Sequence, residues 1–241
     1  MAIAFGTITA FSQSTNSLSD PEVQGRDLAR SLADAKPTTN FNQNGVVIIR
    51  RDGISTNLAF KSATSVGKEQ WNTRYVVSAT GGGTEWLTIS HFENSTNNYE
   101  LYRCLGGGWD GNCTQGMTLP VTGATPFAES DFWVCDLGLD FLHWPAQKIV
   151  KKEFSRGRGC MVLESTNPTP TKGYSKVDCW IDEETLGIVH AEAFDVAGKK
   201  LKEFDPKSFK KVNGQWLLEG MEIRNVQTGS RTTIRFDLKA N

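Results

Sequence analysis

Hydrophobic and polar positions along the chain follow two periods. Residues 19–36, SDPEVQGRDLARSLADAK, put Val23, Leu28 and Leu32 with Ala29 and Ala35 on one side of a helix, the spacing expected of a half-buried amphipathic segment. Ser19 or Asp20 is the candidate N-cap, Pro21 takes the first helical position, Glu22 falls in the first turn and the helix must stop before Pro37. Elsewhere the period is two. Short runs rich in β-branched and aromatic residues, punctuated by turn residues, cover 45–51, 57–63, 70–80, 84–92 and 99–104. They resume at 148–154, 160–165, 174–181, 188–195, 201–204, 216–225 and 232–238. Asn213-Gly214 between two of these runs is the strongest hairpin signal in the chain. So many strands and so few helices predict a mainly β (α+β) protein built on one strongly curved antiparallel sheet or a barrel.

Residues 129–144, ESDFWVCDLGLDFLHW, break the alternation between Pro126 and Pro145. Wound as a helix, they carry one apolar stripe of Phe132, Cys135, Leu139 and Leu142 and a second of Trp133, Leu137, Phe141 and Trp144. Asp136, Asp140 and His143 occupy the remaining face. So wide an apolar surface must press against something, either the concave face of the sheet as plain core or a ligand lying on it. Gly138 in the middle weakens such a helix by about 1 kcal/mol relative to alanine.

The charge balance, 26 Lys and Arg against 27 Asp and Glu, argues against a nucleic-acid binder, which carries a basic excess. No apolar run is long enough to predict a membrane-spanning helix. Signals for catalysis are sparse. His91, His143 and His190 show no metal-ligand spacing, no G-x-S-x-G occurs, and the glycines at 81–83 and 106–108 lack the lysine and helix start of a phosphate loop. Glu164, Asp178, Asp182, Glu183 and Glu192 offer carboxylates for a glycosidase-like pair, yet charges alternating along strands are usually the solvated face. The reading is therefore a protein that is no enzyme, with no catalytic residues, no metal and no cofactor.

Of five cysteines, Cys104 and Cys113 flank a flexible glycine-rich loop that lets them meet. A hairpin closing with Ser165 opposite Tyr174 would set Cys160 opposite Cys179, as a disulfide or as two buried thiols. Cys135 is then the odd one, free and buried. Residues 1–12 are apolar and uncharged before an abrupt polar run. They read as a signal-peptide remnant, with Ala10 and Ser12 at the spacing of a cleavage site before Gln13, or as a first strand packing Phe5, Ile8 and Phe11. The first alternative leaves 13–241 as a single exported domain. Lys199, Lys200, Lys202, Lys207, Lys210 and Lys211 crowd two adjacent hairpins, as a solubilising face that protects strand edges or as a docking surface for anionic headgroups.

From Ser130 to the C-terminal strands the residues also carry a family likeness. Ser130-Asp-Phe-Trp, Asp136-Leu-Gly-Leu-Asp-Phe-Leu-His-Trp-Pro145, Cys160-Met-Val-Leu-Glu-Ser165, Trp180-Ile-Asp-Glu-Glu, Ala191-Glu-Ala-Phe-Asp195, Phe209-Lys-Lys-Val-Asn-Gly-Gln-Trp216 and Ser230-Arg-Thr-Thr together resemble the outer-membrane lipoprotein-sorting protein family, a LolA-like group of exported bacterial proteins. The resemblance implies an incomplete β-barrel around a hydrophobic cavity with a helical lid, in a monomeric periplasmic carrier or chaperone. Its implied partners are an acylated lipoprotein or lipid, an inner-membrane transporter and an outer-membrane acceptor. Acyl burial yields about 0.8 kcal/mol per methylene, so such a carrier needs apolar lining and no catalytic group. The cavity and lid residues expected are Leu28, Leu32, Phe132, Trp133, Leu137, Leu139, Phe141, Leu142 and Trp144. An envelope sensor or interaction module would need the same pocket, and a secreted β-sheet hydrolase is the remaining alternative.

Overall fold

A computed structural model describes residues 20–79, 82–109, 112–212 and 215–238, with Gln215 and Trp216 described in backbone only. Residues 1–12 and the Asn213-Gly214 turn lie outside the described residues. The chain runs α1 (Pro21–Ala33), β1 (Phe41–Arg51), β2 (Ile54–Val66), β3 (Gln70–Ser78), β4 (Thr84–Phe92), β5 (Asn98–Cys104) and β6 (Gly116–Leu119). After α2 (Val134–Gly138) come β7 (Ala146–Ser155), β8 (Arg158–Thr166), β9 (Lys176–Asp182), β10 (Ile188–Phe194), β11 (Lys200–Val212), β12 (Gln215–Asn225) and β13 (Arg231–Phe236). β6, with three of its four residues exposed, has no alternation to reveal it.

All strands join one curved antiparallel sheet in the order β6-β5-β4-β3-β2-β1-β13-β12-β11-β10-β9-β8-β7. Two meanders, β1 to β6 and β7 to β13, thus meet where β1 pairs with β13. β6 and β7 are the two outermost strands, and the sheet is not closed between them. The topology has a direct consequence: residues 120–145, which connect β6 to β7, must travel from one edge of the sheet to the other. They cross its concave face.

Alternate residues fill that face. Val47, Ile49, Leu58, Phe60, Tyr75, Val77, Leu87, Ile89, Met221, Ile223 and Ile234 bury together in one cluster, and Leu163, Val177, Cys179, Ile181, Ile188, Ala191 and Ala193 in another. Helix α1 is capped by the Asp20 carboxylate, which accepts from the Glu22 N–H at 3.0 Å. It lies on β7 so closely that a Cβ on Gly25 would stand 2.6 Å from the Lys148 Cα.

Three expectations need correction. Residues 129–144 are not one helix: α2 ends at Gly138, Leu139 adopts a left-handed conformation (φ 54°), and a 3-10 turn follows at Asp140–His143. The cause is Gly138, whose carbonyl accepts from Asn97 Nδ2 at 2.7 Å and whose missing side chain leaves room for the Tyr99 hydroxyl. The β8–β9 hairpin pairs Ser165 with Val177 instead of Tyr174, which sets Cys160 opposite Asp182 and Leu163 opposite Cys179. The two thiols therefore point to opposite faces, and both are free and buried. The register moves because the connecting loop is longer than expected, closed by the Asn167 N–H on the Ser175 carbonyl. The lysines do not form one patch either. Lys202 points inward and is buried, Lys200 is paired with Glu192 and Glu203, and Lys207 with Glu222. Cys104 and Cys113 form a disulfide, and Cys135 is free and buried as expected.

Candidate ligand cavity and lid

The crossing segment is built in two pieces. A tight hairpin comes first, in which Pro126 bridges to Trp133, the Phe127 N–H donates to the Phe132 carbonyl at 2.8 Å, and Ala128 and Glu129 take positive φ. α2 and the 3-10 turn follow. The Asp136 carboxylate caps α2 by accepting from the Trp133 N–H at 2.7 Å. Phe127, Phe132, Val134 and Leu137 pack into the first core cluster, whereas Cys135, Phe141 and Leu142 pack into the second. The lid therefore seals both halves of the sheet.

Between lid and sheet lies a cavity of about 30 Å³. Phe132, Leu137, Leu139 and Phe141 line it from the lid, and Val177, Ile188, Ala191, Ala193, Phe204, Met221 and Ile223 from the sheet. A pocket holding a drug-sized ligand measures about 300–1,000 Å³. The structure is thus closed, and occupancy by anything larger than a water molecule or two requires the lid to lift.

Polar groups at one end of this apolar space fasten the lid. Lys202 of β11 is 3% exposed. Its Nζ donates to the Asp131 carbonyl at 2.7 Å and lies 3.2 Å from Asp136 Oδ2. It also sits 3.6 Å from the centroid of the Trp133 ring, a cation–π contact that is worth most where water is excluded. The Tyr174 hydroxyl donates to Asp136 Oδ1 at 2.7 Å, and its ring stacks on Trp133 at 4.8 Å. Asp131 accepts from the hydroxyls of Ser230 at 2.5 Å and Thr232 at 2.8 Å. Burial pushes the Lys202 ammonium down from its ordinary value, against the pull of Asp136, Cys135 and Asp131. It pushes the Tyr174 phenol and the Cys135 thiol up, with Asp136 adding to both. An ion pair in such a place is held together mainly because each partner would be left buried and unpaired without the other.

The other end of the lid is held differently. The Tyr99 hydroxyl donates to Asp140 Oδ1, and Asn97 reaches both Gly138 and Tyr99. Burial raises the Asp140 carboxyl to about 6 and lowers His91 to about 4.

Of the nine residues anticipated, Phe132, Leu137, Leu139 and Phe141 line the cavity. Trp133 belongs to the polar fastening instead. Leu142, Trp144, Leu28 and Leu32 pack in the second core cluster, where α1 meets the 3-10 turn. Sequence reasoning missed Lys202, Asp136 and Tyr174. Lys202 shares the parity of Phe204 along β11, and that shared face was the available signal.

The open, curved antiparallel sheet defines a fold class, and solved structures share the fold. A DUF1329 family protein from Desulfovibrio piger superposes with a TM-score of 0.72 at 20% identity, over 91% of this chain and 92% of that one. A putative outer membrane lipoprotein-sorting protein domain from Vibrio parahaemolyticus gives 0.73 at 17% identity, over 90% and 92%. A LolA superfamily protein from Nitrosomonas europaea gives 0.60 at 15%, over 92% and 94%. The fold is accordingly LolA-like. A family model described as "Uncharacterized protein" matches residues 119–239, half of the chain from the end of β6 through the lid and the second meander, and the chain belongs to that family. No curated protein matches it.

Proposed function

We propose that this protein is a non-catalytic carrier that encloses an acyl chain, from a lipoprotein or another lipid, between its lid and its sheet. The observation that carries the reading is the cavity itself: apolar side chains face it from both layers, while the layer above is one connecting segment pinned by Lys202, Asp136 and Tyr174. Lifting that segment exposes a continuous apolar floor. The Cys104–Cys113 disulfide suits an oxidising compartment, and among the described residues no helix is long and apolar enough to cross a membrane. We place the carrier in a bacterial periplasm, as a single domain over 13–241 after loss of a signal, exchanging cargo between an inner-membrane source and an outer-membrane acceptor.

Native mass spectrometry of the full chain, purified without detergent from a bacterial host, tests this. A bound mass removed by organic extraction and identified as a lipid or acylated peptide is the expected result. A bare chain whose tryptophan fluorescence is also unmoved by added phospholipid and lipopeptide overturns the proposal.

A further inference from the structure

The outer face of the sheet, behind the cavity, carries an open cleft of about 720 Å³ where the β1–β2 and β12–β13 turns meet. Arg50 of β1 stands opposite Arg231 of β13, and Arg231 opposite Arg224 of β12. Three guanidinium side chains thus occupy one cross-strand row. Directly opposed residues bring their Cβ atoms to about 4.5–5.5 Å, and like charges at that spacing destabilise a sheet.

Along the same row the next residues are acidic. Glu203 faces Arg224, Glu192 faces Glu203, Asp178 faces Glu192 and Glu164 faces Asp178. Here the chain supplies its own counter-ions: Lys200 lies 2.5 Å from Glu192 and 3.1 Å from Glu203, and Lys176 lies 2.9 Å from Asp178 and 3.1 Å from Glu164. The arginines receive no such treatment. Among the described residues the side chains of Arg50, Arg224 and Arg231 make no hydrogen bond or ion pair. Of the four carboxylates that line the cleft, Asp205 is engaged with Arg156 and His190, Glu222 with Lys207 and Thr233 and Glu203 with Lys200, which leaves Asp52 of the β1–β2 turn beside the arginines. One row therefore has its four carboxylates bridged in pairs by two lysines, while no side chain is paired with its three guanidinium groups. Arginine forks match the paired oxygens of phosphate and carboxylate groups, and charge-assisted bonds to them are among the strongest hydrogen bonds proteins make.

We propose that Arg50, Arg224 and Arg231 form a binding site for a phosphate-class oxyanion, a site separate from the lipid cavity and independent of what that cavity holds. The phosphoryl group arrives in solution or on the headgroup of a bilayer lipid, and two arms of one experiment tell these apart. In the first, the full chain is titrated calorimetrically with inorganic pyrophosphate at low ionic strength. In the second, it is co-sedimented with phosphatidylcholine vesicles with and without phosphatidylglycerol.

Saturable binding in the first arm alone identifies a dissolved ligand, and binding to the anionic vesicles identifies a headgroup. Each supports the site provided that Arg231→Gln, at the centre of the row, weakens it about tenfold or more and Lys211→Gln, on the exposed end of β11, does not. Thermal melting keeps the variant interpretable: in anion-free, low-salt buffer Arg231→Gln melts no lower than the parent, since it relieves repulsion. Absence of binding in both arms, or binding equal in the parent and Arg231→Gln, overturns the proposal.

Discussion

Lys202 is the residue on which the lid depends most. Removing one member of a buried ion pair costs about 3–5 kcal/mol, because the other is left charged and unpaired. Asp136 would keep the Tyr174 hydroxyl and the Trp133 N–H, so Lys202→Met belongs at the low end, about 3 kcal/mol. Neutralising the orphan as well should recover much of that loss. Urea unfolding of Lys202→Met and of Lys202→Met with Asp136→Asn checks both statements, and a double variant less stable than the single one would contradict them. Asp140 makes a second residue-scale prediction. Its carboxyl sits at about 6 in the folded protein against about 3.9 in an unfolded chain, so folding favours the protonated form. The stabilisation is complete below about pH 4 and is lost as pH rises through about 6. His91, lowered to about 4, works in the opposite sense, so the difference between the parent and Asp140→Asn isolates the effect. That difference should shift against the parent as pH rises from about 4 to about 6, and a flat difference refutes the assignment.

At the scale of elements, the lid shows how a local rule is overridden. Gly138→Ala in an isolated helix gains about 1 kcal/mol. In this protein the new Cβ would collide with the Tyr99 hydroxyl oxygen and stand 2.7 Å from a ring carbon, and such overpacking costs about 1–3 kcal/mol. The substitution should lower the melting temperature, whereas in a Tyr99→Leu background it should be neutral or stabilising. A melting temperature raised in both backgrounds would show that helix propensity governs the lid after all. The same contrast explains what could be read from the chain. Strand β4 is recovered to the residue because Trp86, Thr88 and Ser90 alternate with Leu87 and Ile89. Residues 129–144 keep a helical period in composition alone, since their break at Leu139 depends on Asn97, just before β5, and Tyr99 of β5, which are distant in sequence. The β8–β9 register failed for a related reason. Hairpin pairing follows the loop, and a loop carrying Asn167, Pro168 and Pro170 gives no sign that Ser175 folds back onto it. Lys202 was misjudged because charge was read ahead of parity.

For the whole molecule, strand order decides what alternation cannot. Nothing in the period-two pattern says that β6 and β7 are opposite edges, yet that fact turns the β6–β7 connection into a cover that can leave without unpairing a strand. Opening it must separate the Lys202 and Asp136 pair, a cost that is the same whatever the length of the cargo. Each methylene drawn out of water returns about 0.8 kcal/mol. The opening cost is thus a fixed offset, and enough methylenes must be buried to exceed it before binding becomes measurable. Affinity in a fatty acyl series should rise about fourfold per added methylene, with the shortest chains too weak to detect. Lys202→Met with Asp136→Asn, which loosens the fastening while leaving the cavity wall apolar, should move the onset to shorter chains without changing the slope. Intrinsic tryptophan fluorescence reports the series directly, since Trp133 stands against Lys202 and Tyr174. A slope near zero at every length would mean that the acyl chain never enters, and an onset unmoved in the double variant would mean that the polar fastening is not what holds the lid.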